Sequence, residues 1–372
     1  MSLCLMEGNE AVAWGAVASG CRFFAGYPIT PATTIFNTLL KIMPPAGGIC
    51  MQGEDEIASI GYCLGASMAG LKAMTATSGP GISLYSEQIS FAIGSEIPLV
   101  IVDVQRLGPS TGSATKGADG DVQFMRWGNS GGLPVIVLAP VDVADCFVLT
   151  MHAFNLAEKL RCPVFIASNK EIAMTKESLD FESLERPPVI DRARPGNKDY
   201  FPFTVRENSL VPEFLPIGGS RLVRQTSSTH GDEGYITTDF NIISRFQNRL
   251  KNKLESEVGS FAFHESFIEE EAKSIIITYG VTARAAKAVY SIRKKEGRPV
   301  SLLVLKTLWP VPEKLIRDKT EKANRVFVFE MNMGQYYGEI MRILPDKKVD
   351  LFGQMDGRLI SPRQIMEAVG NG

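Results

Sequence analysis

Pro98-Leu99-Val100-Ile101-Val102-Asp103-Val104 is apolar at every position but one, and Gln105-Arg106-Leu107-Gly108-Pro109-Ser110-Thr111-Gly112 follows it with polar residues and turn formers. A strand covered on both faces reads as a continuous apolar run, whereas a half-exposed strand alternates. Similar runs recur at Arg22–Tyr27, Leu71–Thr77, Pro134–Ala139 and Pro163–Ser168. Longer stretches with helical spacing separate them, such as Asp55–Ala69 and Val143–Lys159. This alternation predicts an α/β layer fold around a parallel sheet.

The pattern stops at 175–235, which is rich in Pro, Arg, Ser, Asp and Gly and has little periodicity. Such a stretch is a linker, an insertion or a functional loop system. A polar helix follows over roughly Phe240–Glu257, and the α/β alternation resumes from about 272. Strands are expected at Ser274–Thr278, Val300–Lys306, Arg325–Glu330 and Lys348–Phe352, with helices at Thr282–Lys295, at Gly334–Leu344 and from Pro362. Ser361 is a sound N-cap for that last helix and Pro362 a sound first residue. The expected division is two parallel-sheet domains, 1–172 and 259–372, joined by an irregular segment with a helix at 173–258.

The 372 residues carry 39 Lys and Arg against 41 Asp and Glu, a net charge of -2, which offers no electrostatic footprint for nucleic acid or an anionic membrane. No apolar run approaches the ~20 residues of a membrane span. Met1-Ser2-Leu3-Cys4-Leu5-Met6-Glu7 has neither a basic region nor a long apolar one, so the expectation is a cytoplasmic protein. Cysteines stand at 4, 21, 50, 63, 146 and 162, with no CxxC and no histidine at ligand spacing. They read as small core residues, and no metal site is expected on this chain. Of the histidines, His152 falls in an apolar helical pattern and His264 in a linker, while His230, in the irregular segment, is a weak candidate to reach a site.

Ligands bind at the C-terminal ends of strands in open α/β sheets, and four features fall there. Gly26-Tyr27-Pro28-Ile29-Thr30-Pro31 is a stiffened turn in which Pro31 can open a helix and hold Thr30 near its N-terminus. Glu54-Asp55-Glu56 opens a helix whose remainder is almost wholly apolar or small, so the helix is expected to be buried all round, with a desolvated carboxylate at its mouth. Thr75-Ala76-Thr77-Ser78-Gly79-Pro80-Gly81 is a tight turn that matches neither a Walker nor a Rossmann pattern. Arg106, ahead of its Gly/Pro/Ser/Thr loop, is placed to grip a carboxylate or phosphate with both arms of its guanidinium.

The ordered motifs YPITP, EDEIASIGYCLGASMAG, TATSGPG, QRLGPSTG and GDVQFMRWG, continued by TYGVTARAA, LKTLWPVP and VFEMNMGQ, resemble the α subunit of 2-oxoacid:ferredoxin oxidoreductases, most of all the 2-oxoglutarate branch. The resemblance implies a first domain of the pyrimidine-binding type of thiamine diphosphate enzymes and a second like the transketolase C-terminal domain. It implies that Glu56, nine residues before Gly65, bonds the aminopyrimidine ring as the catalytic carboxyl, with Glu54 the fallback. Thr30 and Arg106 match the positions that contact the 2-oxoacid, and Tyr27, Pro28, Ile29, Ser78 and Gly79 fall in the cofactor-binding motifs. This chain holds no Gly-Asp-Gly for diphosphate and Mg²⁺ and no cluster-type cysteines. The resemblance places those functions, including a [4Fe–4S] cluster, on a separate β subunit. The implied reaction converts a 2-oxoacid, CoA and oxidised ferredoxin to acyl-CoA, CO₂ and reduced ferredoxin, with further ferredoxin-like subunits as potential partners. One departure stands out. After Arg126-Trp127-Gly128 the 2-oxoglutarate branch tends to read Thr-His-Gly-Asp, and this chain reads Asn129-Ser130-Gly131-Gly132. Pyruvate, branched-chain and aromatic 2-oxoacids therefore stand as alternative substrates, and a non-catalytic subunit that keeps the fold is the rival from another class.

Overall fold

The computed structural model describes residues 3–196 and 200–370. Met1, Ser2 and the outermost ends of the expected domains lie outside the described residues. In chain order the strands of the first part are β1 (Leu3–Glu7), β2 (Cys21–Gly26), β3 (Ile49–Gln52), β4 (Lys72–Thr77), β5 (Leu99–Gln105), β6 (Ile136–Leu138), β7 (Pro163–Asn169) and β8 (Lys176–Asp180). Those of the second part are β9 (His264–Phe267), β10 (Ser274–Tyr279), β11 (Ser301–Leu305), β12 (Thr307–Trp309), β13 (Arg325–Glu330) and β14 (Lys348–Gly353).

A seven-stranded sheet with order β12-β6-β7-β5-β4-β2-β3 forms the first lobe, parallel except where β12 runs against β6. The continuous apolar run of β5 has the cause expected of it, since both faces of the sheet are covered. Val100, Val102 and Val104 pack with Val12 of the helix Gly8–Ala18 and Phe147 of the helix Val143–Leu160. Leu99 and Ile101 face the other way, onto Ile60 of the helix Glu56–Met68 and Ile89 of the helix Ser86–Gly94. The second lobe is a five-stranded sheet, β14-β13-β10-β11-β9, with β9 antiparallel at its edge. The fold is therefore α/β with two parallel-sheet lobes. The helix Thr282–Lys295 has its expected bounds, and Ser361 and Gln364 form a reciprocal cap at the start of the helix Pro362–Gly370.

Several local expectations are corrected. His264 lies in β9, paired against Leu305, and not in a linker. The segment beginning at 175 opens with β8, which pairs antiparallel with β1. Past that pair of strands the segment has little regular structure but is tied down by buried cations. Arg192 reaches the carboxylate of Glu158 at 2.6 and 2.7 Å and the carbonyl of Ser67 at 2.8 Å. Arg161 bonds the carbonyls of Pro202, Pro212 and Glu213. Backbone groups that lack a ladder are satisfied in this way by side chains.

The helix Phe240–Glu255 is anchored through Glu96, which is fully buried. Arg249 approaches the Glu96 carboxylate at 2.6 Å and Lys253 at 2.8 Å. Burial pushes this carboxyl up, but Lys253 and Arg249 outweigh burial and hold it at about 2, below its ordinary 4.5. A group whose folded value is depressed contributes stability above its unfolded value. This contribution is therefore present above about pH 4.5 and lost as the pH falls toward 2. Glu96→Gln should destabilise the fold by about 3–5 kcal/mol at neutral pH, the cost of stranding one side of a buried ion pair, and should shrink the loss between pH 5 and 3. Thermal melts across that range check this, and an unchanged melting temperature at pH 7 contradicts it.

Candidate active site

The parallel strands β2, β4 and β5 end side by side, with Thr77 directly opposite Asp103 in the ladder. Their C-terminal ends deliver the loop after Gly26, the turn Thr77–Gly81 and the loop after Gln105 to one edge of the sheet. Three of the four expected features thus meet there, and the helix carrying the fourth packs beside them.

Glu56 is the first residue of the helix Glu56–Met68, whose N-cap Asp55 accepts the Ala58 amide at 2.7 Å. The cap is local sequence chemistry: an aspartate ahead of the first turn satisfies an otherwise orphaned N–H. It leaves Glu56 on the inward side, 8% exposed and without a hydrogen bond among the described residues. Its Oε1 lies 3.0 Å from where a Cβ on Gly81 would stand, and that Cβ would also overlap the Thr77 hydroxyl. Only glycine fits at 81, so carboxylate and hydroxyl converge across a bare stretch of backbone. The Thr77 and Ser78 hydroxyls are buried with no partner, an unusual state for polar atoms and one that a bound ligand would relieve. Glu54 points outward and accepts the Tyr62 hydroxyl at 3.1 Å, so the geometry favours Glu56 over the fallback.

The expectation that this helix is buried all round is wrong for this chain. Ser59, Ile60, Cys63, Leu64 and Ser67 are buried, but Ile57 and Tyr62 are exposed and a Cβ on Gly65 would meet nothing. One face packs on the sheet, and the other is apolar and bare.

Arg106 is buried, 6% exposed, and its Nη1 donates to the carbonyl of Thr30 at 2.5 Å. Its Nε has no acceptor. The structure thus joins Thr30 and Arg106, which are 76 residues apart. Pro31 does not open the next helix, which begins at Thr33. The Pro31 carbonyl is instead taken by Asn9 Nδ2 at 2.8 Å, and Asn9 also reaches Thr34 Oγ1 at 2.7 Å. Thr30 is therefore exposed at the rim, outside the helix. Tyr27 is exposed too, Pro28 and Ile29 are half-buried, and Ser78 stands at the N-cap position of the short helix that Gly79 begins, its hydroxyl making no cap bond.

Sequence reasoning overlooked three aspartates at the same edge, Asp103 and Asp119 buried and Asp121 half-buried. Asp103 interrupts an otherwise apolar strand, and that interruption was the available signal. Asp119 accepts Asn169 Nδ2 at 2.8 Å, and its carbonyl accepts Asn332 Nδ2 of the second lobe at 2.8 Å. Burial first, with Glu330 and Asp121 adding to it, pushes the Asp119 carboxyl up to about 7. Gln335 Nε2 bonds the Gly120 carbonyl at 2.5 Å and Trp309 Nε1 the Val122 carbonyl at 3.2 Å, so the second lobe fixes the whole 119–122 loop.

His230 is not brought to this edge. It is buried between the rings of Phe203 and Phe246, at 3.7 and 4.4 Å, with its nitrogens against the Gly231 and Gly94 carbonyls. His152 stacks on Phe263 at 4.4 Å. All six cysteines are unpaired and four are buried, and desolvation pushes Cys21, Cys50 and Cys162 up to about 12. These are packing residues.

A buried acid facing a glycine turn, next to an arginine on a parallel-sheet edge, suits an enzyme that holds a cofactor and an anionic substrate side by side. Two family models match the chain. One, described as pyruvate flavodoxin/ferredoxin oxidoreductase, thiamine diP-bdg, matches residues 14–247, and the other, pyruvate:ferredoxin oxidoreductase core domain II, matches residues 272–365. The chain belongs to this family of thiamine diphosphate-dependent oxidoreductases. It is 39% identical to the 2-oxoglutarate synthase subunit KorA of Methanocaldococcus jannaschii, over 99% of this chain and 100% of the relative. It is 33% identical to the ketoisovalerate oxidoreductase subunit VorB of Methanothermobacter thermautotrophicus, over 99% of this chain and 97% of the relative. Among solved structures, the 2-oxoglutarate:ferredoxin oxidoreductase from Magnetococcus marinus, with 2-oxoglutarate, coenzyme A and succinyl-CoA bound, superposes with a TM-score of 0.92 at 33% identity. That match covers 99% of this chain but 65% of the other, so this chain spans about two thirds of its length. A split-gene transketolase, 12% identical with a TM-score of 0.57, shares the fold.

Proposed function

We propose that this chain is the α-type subunit of a 2-oxoglutarate:ferredoxin oxidoreductase, and that its cofactor site is completed by a partner subunit. The observation that carries the reading is that the Arg106–Thr30 contact and the cluster of Glu56, Thr77 and Gly81 stand at one edge of the sheet, each in the motif that the resemblance assigned to it. Several relatives with KorA names support the substrate, among them those at 39%, 34% and 36% identity. A branched-chain 2-oxoacid is the second reading, favoured by the VorB relative at 33% identity and by Asn129-Ser130-Gly131-Gly132 in place of the expected polar stretch.

The residues present fit thiamine diphosphate at its pyrimidine end. Glu56, the bare backbone at Gly81 and the unpartnered Thr77 and Ser78 hydroxyls would hold it, together with Tyr27, Pro28, Ile29 and Gly79 around them. When bound, the cofactor supplies the electron sink for decarboxylation. Glu56 holds and moves a proton at its Oε atoms, in a place with little water. Arg106 binds and orients the 2-oxoacid carboxylate through its Nε and second Nη, while its first Nη stays fixed on the Thr30 carbonyl. The Thr30 hydroxyl, beside that contact at the rim, orients the same substrate.

The division of labour follows from the bare face of the helix Glu56–Met68. Gly65, whose Cβ position is open, and the exposed Ile57 and Tyr62 suit close packing by a second subunit, with Gly61 on the same side beneath the Gln88 side chain. That subunit would hold the diphosphate, Mg²⁺ and a [4Fe–4S] cluster, and ferredoxin and CoA would be the remaining reactants, in the cytoplasm. Among the described residues, no helix is long and apolar enough to cross a membrane. The purified chain alone should bind thiamine diphosphate weakly or not at all and should be colourless. Calorimetry with Mg²⁺ present decides this, and micromolar binding by the lone chain contradicts the division.

A further inference from the structure

We propose that Asp103 and Asp121 share one proton and act as a positioning pair behind Arg106, setting the charge that its guanidinium presents to the substrate carboxylate. The inference rests on the reading of Arg106 given above. It starts from packing. Asp103 lies in β5 on the same side as Leu99 and Ile101, fully buried, and neither of its oxygens receives a conventional donor. The group it meets is the carboxyl of Asp121. Two carboxyls in hydrogen-bond contact in a dry place hold together only if one of them keeps a proton.

Asp121 is put there by its backbone N–H, which donates to Gln105 Oε1 at 2.9 Å, and Gln105 is itself held by donating to the Ser168 carbonyl at 3.2 Å. Its Oδ2 has no conventional donor either and lies 3.6 Å from the Cβ position of Gly79. The pair is asymmetric. Burial, then repulsion from Asp121, keeps the Asp103 carboxyl well above its ordinary range. Burial raises Asp121 to about 6 against the pull of Asp103 and of Arg106. Asp103 is therefore the acid and Asp121 the carboxylate, on the side nearer the arginine. The other charged groups that bear on the pair are Asp119 from the same loop and, behind Asp119, Glu330 from β13. Asp119 is itself pushed up to about 7, so it is mostly protonated where Asp121 titrates, and Glu330 bears on Asp119 and not directly on the pair.

The consequence has a definite sign. Above about pH 6 Asp121 is ionised and offsets part of the Arg106 charge. Below it Asp121 takes up a proton, and Arg106 attracts the anionic 2-oxoacid more strongly. KM for the 2-oxoacid should fall as the pH drops through this range. Once the carboxylate has left as CO₂, Arg106 has lost its anion, and ionised Asp121 offsets the charge left behind.

The test uses the enzyme assembled with its partner subunit. Asp121→Asn should lower KM by about 3- to 10-fold at pH 7.5, within one pKa unit's worth of interaction, should remove the pH step in KM, and should lower kcat as well. Asp103→Asn leaves an amide that always donates to Asp121, so the step should move to lower pH. In the same complex, infrared difference spectra of parent against Asp103→Asn at pH 7 should show the C=O stretch of a buried protonated carboxyl. A merely structural role for the pair would change stability and kcat without moving the pH step. If Arg106→Ala raises KM while Asp121→Asn leaves the step in place, or if the carboxyl band is absent, the proton-sharing pair is wrong and the substrate reading stands. If Arg106→Ala leaves KM unchanged, the substrate reading fails and this inference fails with it.

Discussion

Arg106→Ala, in the enzyme assembled with its partner, should lower kcat/KM by about 30- to 5000-fold for every 2-oxoacid tested. The magnitude follows from removing one partner of a desolvated charged pair, roughly 2–5 kcal/mol. Arg106 is buried beneath the rim, so water cannot replace its charge, and its Nε is unpartnered while Nη1 is fixed on the Thr30 carbonyl at 2.5 Å. Arg106→Lys should not rescue. A lysine ammonium is a point charge with no planar fork for both carboxylate oxygens. All 2-oxoacids share the carboxylate next to the carbonyl, so losses should be similar for 2-oxoglutarate, pyruvate and branched-chain substrates, and thiamine binding should hardly change. Steady-state kinetics with a viologen acceptor provides the readout. A defect confined to 2-oxoglutarate would move Arg106 to the distal end of the substrate.

Glu56→Gln should reduce turnover by about 10² to 10⁴-fold, the usual weight of a general acid–base group, and should weaken cofactor binding far less. The amide keeps the shape and the hydrogen-bonding oxygen but cannot pass a proton. The site tolerates it sterically, since Gln is isosteric with Glu and Gly81 opposite leaves the space open. Exchange of the thiazolium C2 proton in the assembled enzyme separates this role from simple binding. Glu54→Gln should leave exchange intact, because Glu54 is turned to the Tyr62 hydroxyl at 3.1 Å. Normal exchange in Glu56→Gln together with loss in Glu54→Gln would reverse the assignment.

Much of the first lobe was legible because its central strands are buried on both faces, and an apolar run needs no partner information to be recognised. β13 and the helix Thr282–Lys295 fall where their patterns put them, to the residue. β1, β3 and β12 carried no such signal. Each is short, and its identity comes from pairing: β1 with β8 across more than 160 residues, β3 at the sheet edge, β12 reaching back to β6 from the second lobe. The helix Glu56–Met68 shows the opposite failure. Its composition reads as buried all round, and half of that cover is missing from the chain itself. The pattern was faithful to an environment that this chain does not supply alone, which is also why the bare face argues for a partner.

The site divides in the same way. Glu56 and Arg106 stood out because each is a charge at the end of an apolar element, and Thr30 because prolines flank it. The contact between Thr30 and Arg106 depends on β2 and β5 ending on the same edge, which only the folded sheet decides. Asp103 was written in the sequence as a lone charge in a β run, yet its meaning depends on Asp121, which a loop pinned by the second lobe through Asn332 and Gln335 brings back to it. His230 shows how little a residue type says without its surroundings, since two phenylalanine rings enclose it away from the sheet edge.

The central claim is that this chain supplies one half of a shared active site. The most direct measurement is 2-oxoglutarate- and CoA-dependent viologen reduction by the chain alone, by its co-expressed partner alone, and by the two recombined with thiamine diphosphate and Mg²⁺. The account predicts activity in the recombined sample only, abolished there by Glu56→Gln. Turnover by the lone chain, or a stable complex of the two proteins that is inert toward every 2-oxoacid, would contradict it.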